Sequence, residues 1–178
     1  MNLKRLGEFR VLTLREEAPT LWAARACNTP EVSYDYWMDQ VVSDPRHNPE
    51  VETLVGLVLS SPRLVLGHYI VATGTLDTIL SHPREVFRPA ILAAASAIVL
   101  MHNHPSGDPM PSEGDIKTTL DLIRAGQLLR IDVLDHVIVG RAAADRVKAW
   151  VSLRELGYFC ETSWDTLNYR PARGRKEK

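Results

Sequence analysis

The chain has 178 residues, is 45% hydrophobic and carries a formal net charge of −1. That length suits one domain with its own core, and two distant cysteines, Cys27 and Cys160, exclude a disulfide-dense scaffold or a cysteine-rich zinc cluster. The longest apolar stretch, residues 90–101, is too short to span a bilayer, and residues 1–17 lack the uninterrupted apolar run of a signal peptide, so a cytoplasmic protein without membrane attachment is expected.

The net charge hides an asymmetry. Residues 170–178 hold five basic residues and one acidic, against 16 basic and 21 acidic in the rest. An acidic body disfavours a large nucleic-acid groove. A short basic terminus could touch phosphates but is more often solvated.

Residues 10–14 read as a short strand. Thr29-Pro30-Glu31 opens a helix, with Thr29 as cap and Pro30 at the first helical position, running to about Val42. Asp44-Pro45-Arg46-His47-Asn48-Pro49 then breaks the chain. Residues 53–59, rich in Val and Leu, predict a buried strand. A turn at 60–63 leads to a second strand over 64–72, antiparallel to the first because the connection is short.

Pro83-Arg84-Glu85 opens a helix carrying Val86, Phe87, Ala90, Ile91 and Ala94 at helical spacing; Pro89 inside it should kink it or delay its start. A buried strand at 97–101 runs into a Pro- and Gly-rich loop. A helix over 112–127 follows, with Ser112 and Asp115 in capping-box spacing and Asp in place of the usual Glu or Gln. A further strand covers 131–139, and 150–158 returns to the body. Strands alternating with helices predict an α/β fold, a sheet covered by helices on both faces. One domain is expected over residues 30–160, preceded by an appended segment at 1–29 and followed by a basic tail at 161–178.

The chemistry concentrates in His102-Asn103-His104-Pro105-Ser106-Gly107-Asp108-Pro109-Met110-Pro111-Ser112-Glu113-Gly114-Asp115. Histidines two apart at a strand end point to the same side. The loop turns the chain sharply, and Asp115 arrives in the first turn of the next helix. Singly, each residue has an ordinary reading: a surface His-x-His, a helix-dipole aspartate, turn prolines. Together they predict a mononuclear metal site with His102, His104 and Asp115 as ligands. Two imidazoles and one carboxylate suit zinc with a fourth position left for water, and non-haem iron uses a similar set. A His-x-Glu and Pro-Cys-x-x-Cys pair, as zinc deaminases need, is absent.

A hydrolytic site also needs a general base. Glu52 opens the apolar strand at 53–59 and could face the site from a rigid edge. Glu50, two residues earlier, competes, and either could be a solvated residue at a strand entrance. Ser112 serves as a helix cap, and its hydroxyl could also donate to a developing oxyanion. The two roles compete for one side chain.

His102-Asn103-His104-Pro105-Ser106-Gly107 with Pro111-Ser112 and Asp115 resembles the JAMM motif of the JAB/MPN metalloproteins, and in particular the RadC family. Gly74-Thr75-Leu76-Asp77, Pro83-Arg84-Glu85-Val86 and Leu134-Asp135-His136-Val137-Ile138-Val139-Gly140 fit the same pattern in the same order, over roughly residues 30–160. The resemblance implies a mixed β-sheet sandwiched between helices, similar to cytidine deaminases. It implies His102, His104 and Asp115 as zinc ligands, Glu52 as the base ahead of Glu50, and Ser112 as the serine that steadies a tetrahedral intermediate. His136 is expected to be a buried structural histidine rather than a ligand, and His47, His68 and His82 to be ordinary.

The sequence departs from the pattern at Ser60, where many members have Asp. The helix-hairpin-helix segment that precedes the domain in longer RadC proteins has no counterpart in residues 1–29, which weakens an argument for duplex DNA binding. The leading expectation is a zinc hydrolase of the JAMM type, a metallopeptidase or isopeptidase acting on a peptide or isopeptide-linked protein. The alternative is a DNA-repair-associated nuclease or other nucleic-acid-processing protein engaging single-stranded nucleic acid. A non-catalytic scaffold is a third reading.

Overall fold

The computed structural model describes Trp22 and residues 25–74, 82–144 and 146–159. The strand expected at 10–14, the segment Thr75-Leu76-Asp77 and the basic tail lie outside the described residues.

Helix α1, Pro30–Tyr36, begins at Pro30 as expected, although Thr29 makes no side-chain cap bond. It runs on into a π-helical turn, Trp37–Val41, closed by the Val42 N–H on the Trp37 carbonyl at 2.9 Å. The strands are β1 (Thr53–Leu59), β2 (Val65–Thr73), β3 (Ala97–Asn103), β4 (Asp132–Val139) and β5 (Trp150–Ser152). Helix α2 is Pro83–Leu92 and α3 is Glu113–Leu129. Pro89 lies inside α2 without delaying its start, because Pro83 and the His82 ring, which accepts the Arg84 N–H, fix the first turn. Among the described residues no helix is long and apolar enough to cross a membrane.

The five strands form one mixed sheet in the order β2-β1-β3-β4-β5. β1 is antiparallel to β2 and β3, β3 runs parallel to β4, and β5 is antiparallel to β4. The parallel pair is joined through α3, as a parallel connection requires. Alternation along β3 divides the core. Ala97, Val99 and Met101 pack with Tyr36, Trp37 and Val41 on the α1 side. Ile98 and Leu100 pack with Val86, Phe87, Ala90 and Leu122 on the α2 and α3 side. Helices therefore cover both faces. Residues ahead of position 30 join this packing: Trp22 and Cys27 are buried in the α1-side core, and Ala26 bridges to Leu64.

β4 carries one irregularity that matters below. Ile98 pairs with Val133 but Val99 pairs with Asp135, so Leu134 is an extra residue. Such a bulge reverses which face the following side chains occupy. Val133 and, beyond the bulge, His136 thus both lie on the α3 side, although their positions differ by an odd number.

Candidate metal centre

His102 follows Ile98 and Leu100 on the α3 side of β3 and is fully buried. The strand extends past the expected residue 101 to Asn103, so His102 stands inside the ladder, paired with Leu54 on one side and Ile138 on the other. The His104 N–H still bonds the Val139 carbonyl at 2.8 Å. That keeps the chain in register for one more residue and leaves His104 on the same side as His102.

The chain then turns at Gly107, whose φ of +84° lies in the left-handed region that favours glycine. The loop passes close to β4: a Cβ on Gly140 would collide with the Gly107 carbonyl and stand 2.8 Å from Pro109 Cδ. At the loop's end the capping box predicted from sequence forms. The Asp115 N–H bonds Ser112 Oγ at 3.1 Å, while the Ser112 N–H and hydroxyl both donate to Asp115 Oδ2, at 2.8 and 2.6 Å. The cap that starts α3 thus aims the Asp115 carboxylate.

Asn103, between the two histidines, faces the other way. Its Oδ1 accepts the Thr53 N–H at 3.0 Å and its Nδ2 donates to the Val51 carbonyl at 3.1 Å. This clamps the backbone on both sides of Glu52. Glu52 Oε1 comes to 3.6 Å from His102 Nε2. Glu50, by contrast, lies in the preceding turn, 72% exposed, and pairs with Arg141 at 2.8 Å.

The ligand atoms of Glu52, His102, His104 and Asp115 all lie within 4.8 Å of one another. His102 Nε2 is 2.9 Å from His104 Nε2 and 3.4 Å from Asp115 Oδ1, and His104 Nε2 is 3.5 Å from Asp115 Oδ2. Four donors bound tetrahedrally at about 2 Å from one zinc ion stand roughly 3.3 Å apart, so the spacing fits a single small cation. The donor chemistry fits as well. His104 Nδ1 is 2.7 Å from the Asp108 carbonyl, which can only accept, so the ring proton sits on Nδ1 and the Nε2 lone pair points inward. A second imidazole nitrogen faces that lone pair beside a carboxylate, an arrangement that a divalent cation satisfies.

The electrostatics agree. Burial pushes His102 well below the usual histidine range, aided by the neighbouring His136 and against the pull of Asp115. The neighbouring Asp115 carboxylate and, despite burial, the Asp108 carbonyl raise His104. Burial alone would raise the Asp115 carboxyl, but the adjacent His104 and His102 rings and the Ser112 donors hold it well below the ordinary carboxylate range. Asp115 is therefore an anion at neutral pH, ready to ligate.

His136 is buried, as expected, and stands behind His102 rather than among the four clustered residues, with its Nε2 2.8 Å from His102 Nδ1. His47 packs edge-on to Trp37, and His68 bonds the Tyr36 hydroxyl at 2.8 Å. The sequence reading missed Asn103, Thr119, Gly140 and the Asp108 carbonyl. Thr119 carried a signal, since it falls one helical turn after Asp115 on the same face. The others depend on contacts between distant segments.

Fold and site together define an α/β domain with a candidate metal centre, in which Glu52 just ahead of β1, the end of β3 and the start of α3 meet. The chain belongs to the RadC-like JAB domain family, whose model matches residues 27–158, and the mixed sheet between helices is the JAB/MPN fold. A UPF0758 protein of Staphylococcus carnosus is 39% identical over 167 residues, covering 89% of this chain and 69% of that protein. A UPF0758 protein of Staphylococcus haemolyticus is 46% identical over 108 residues, 61% of this chain and 45% of that protein. One from the archaeon Methanococcoides burtonii is 41% identical over 115 residues, 64% of this chain and 48% of that protein. The matched segments thus span about half of the latter two relatives.

Proposed function

We propose that this domain is a zinc-dependent hydrolase of amide or isopeptide bonds, with Glu52 as general base. The observation that carries the reading is the convergence of Glu52 with His102, His104 and Asp115 within 4.8 Å. Two imidazoles and an ionised carboxylate favour zinc. When bound, the cation polarises a carbonyl and acidifies water.

The protein's own residues supply the rest. His102, His104 and Asp115 hold the cation. Glu52 takes a proton from the attacking water and passes it to the leaving amine. Asn103 orients Glu52 through the backbone on either side of it. The Ser112 hydroxyl now donates to Asp115 Oδ2; rotated away from that carboxylate, it would donate to the oxyanion. A single-cation donor set and an excess of acidic residues outside the tail favour an amide over a phosphodiester substrate. A groove of about 390 Å³ between Asp108-Pro109-Met110 and β5 at the end of the sheet suits an extended peptide.

The test loads the full chain with zinc and presents peptide libraries, isopeptide-linked proteins and single-stranded DNA, with Glu52→Gln as control. Cleavage of an amide or isopeptide bond that is lost in Glu52→Gln supports the reading. A zinc-loaded protein that cleaves none of them overturns it, and Glu52-dependent cleavage of DNA alone transfers the site to a nuclease.

A further inference from the structure

The centre leaves one question of orientation: what fixes the free nitrogen of His102, as the Asp108 carbonyl fixes that of His104. The answer lies behind the sheet's buried end. Thr119 Oγ1 is 2.6 Å from the Asp115 carbonyl oxygen and 2.6 Å from His136 Nδ1. A hydroxyl has one proton, and a carbonyl can only accept. Thr119 therefore donates to Asp115 and accepts from His136, which places the His136 proton on Nδ1.

The His136 Nε2 faces His102 Nδ1 at 2.8 Å, a contact that needs one proton between the nitrogens. Were that proton on His136, the ring would be a cation only 2% exposed, with Thr119 and His102 as its hydrogen-bond partners. A buried cation without a touching counter-ion is strongly disfavoured. The proton therefore sits on His102 Nδ1, and the His102 Nε2 lone pair faces Glu52, His104 and Asp115.

We propose that Thr119 and His136 are positioning residues, forming a directed chain from the Asp115 carbonyl through Thr119 and His136 that locks His102 in its metal-binding tautomer. The chain starts on the backbone of one ligand residue and ends on the ring of another, so a single hydroxyl ties both ligand-bearing elements. The β4 bulge at Leu134 is what brings His136 to this side of the sheet. Outer partners of this kind typically set metal affinity by about 10- to 100-fold. The proposal rests on the metal-binding half of the function proposed above and not on the reaction.

Long-range proton–nitrogen NMR of the zinc-free full chain reads the tautomers directly. Both His102 and His136 are expected as Nδ1–H forms, and a His102 protonated on Nε2 overturns the proposal. Thr119→Val removes the hydroxyl and Thr119→Ser keeps it. In zinc competition titrations the valine variant is expected to bind about 10- to 100-fold more weakly, with His102 spread over both tautomers, while the serine variant stays near wild type. Equal affinity in the two variants overturns the chain. A wild type that takes up no zinc would sink the metal reading alone, because the spectrum still decides the tautomers.

Discussion

Glu50 and Arg141 form an ion pair of 2.8 Å, while Glu52, two residues further on, turns into the histidine–aspartate cluster. The two glutamates were equivalent by local pattern. They differ because β1 begins at Thr53 and Asn103 clamps the backbone just before it. Glu52→Gln is expected to lower hydrolysis by about 100- to 10,000-fold, the range general-base catalysis contributes, with zinc content unchanged. Glu50→Gln breaks an exposed pair, worth roughly 1 kcal/mol or less, and should leave the rate near wild type. Parallel rates for the two variants with bound zinc measured alongside decide the assignment.

Zinc should stabilise the fold through the same ligands. A metal present at a thousand times its dissociation constant adds about 4 kcal/mol to unfolding. Thermal unfolding of the wild type should therefore rise with zinc and fall back on chelation. Asp115→Asn keeps a side-chain oxygen in the α3 capping box but removes the charge, so its melting temperature should not respond to zinc. A zinc-induced rise equal to wild type in Asp115→Asn would remove Asp115 from the ligand set.

Gly140 has no side chain because the loop carrying His104 lies against it. A Cβ there would meet Pro109 Cδ at 2.8 Å and collide with the Gly107 carbonyl. Gly140→Ala must push that loop away from β4. Overpacking of this kind costs about 1–3 kcal/mol, and the displaced His104 should weaken zinc binding by more than stability loss alone explains. Zinc affinity at wild-type level in a folded Gly140→Ala would show that the loop accommodates the methyl.

The buried histidines make the zinc-free protein acid-sensitive. Burial holds His136 down to about 4, against 6.5 for an exposed ring, and pushes His102 in the same direction. Between those values the unfolded chain binds protons that the folded chain excludes. The contribution of these two rings is therefore full above pH 6.5 and is lost as the pH falls towards 4, offset in part by His104, whose raised value favours the folded state as it protonates. For His136 the gap corresponds to about 3 kcal/mol. Asp115, whose carboxyl is depressed from 3.8, contributes its own loss only below that value. Urea unfolding of the zinc-free protein in steps from pH 7.5 to 4.5 should show the decline. A flat profile over that range would mean that the histidine rings are not held neutral.

Residue pattern within single elements was enough for the local parts of the fold. The strand from 53 to 59, the Pro30 and Pro83 helix starts and the Ser112–Asp115 capping box follow from residue pattern within one turn or one strand, and they formed as read. His102, His104 and Asp115 could be grouped because a strand end, a tight turn and a helix start lie consecutively in the chain. What depends on register between distant segments came only with the packed fold. The folded chain clamps Glu52, which the family resemblance already set ahead of Glu50, through Asn103, uses the unforeseen bulge at Leu134 to turn His136 behind His102, and joins that ring to Thr119 on α3. A bulge or a cross-strand clamp leaves no period in its own stretch of sequence, since its meaning lies in which residue of another strand it faces.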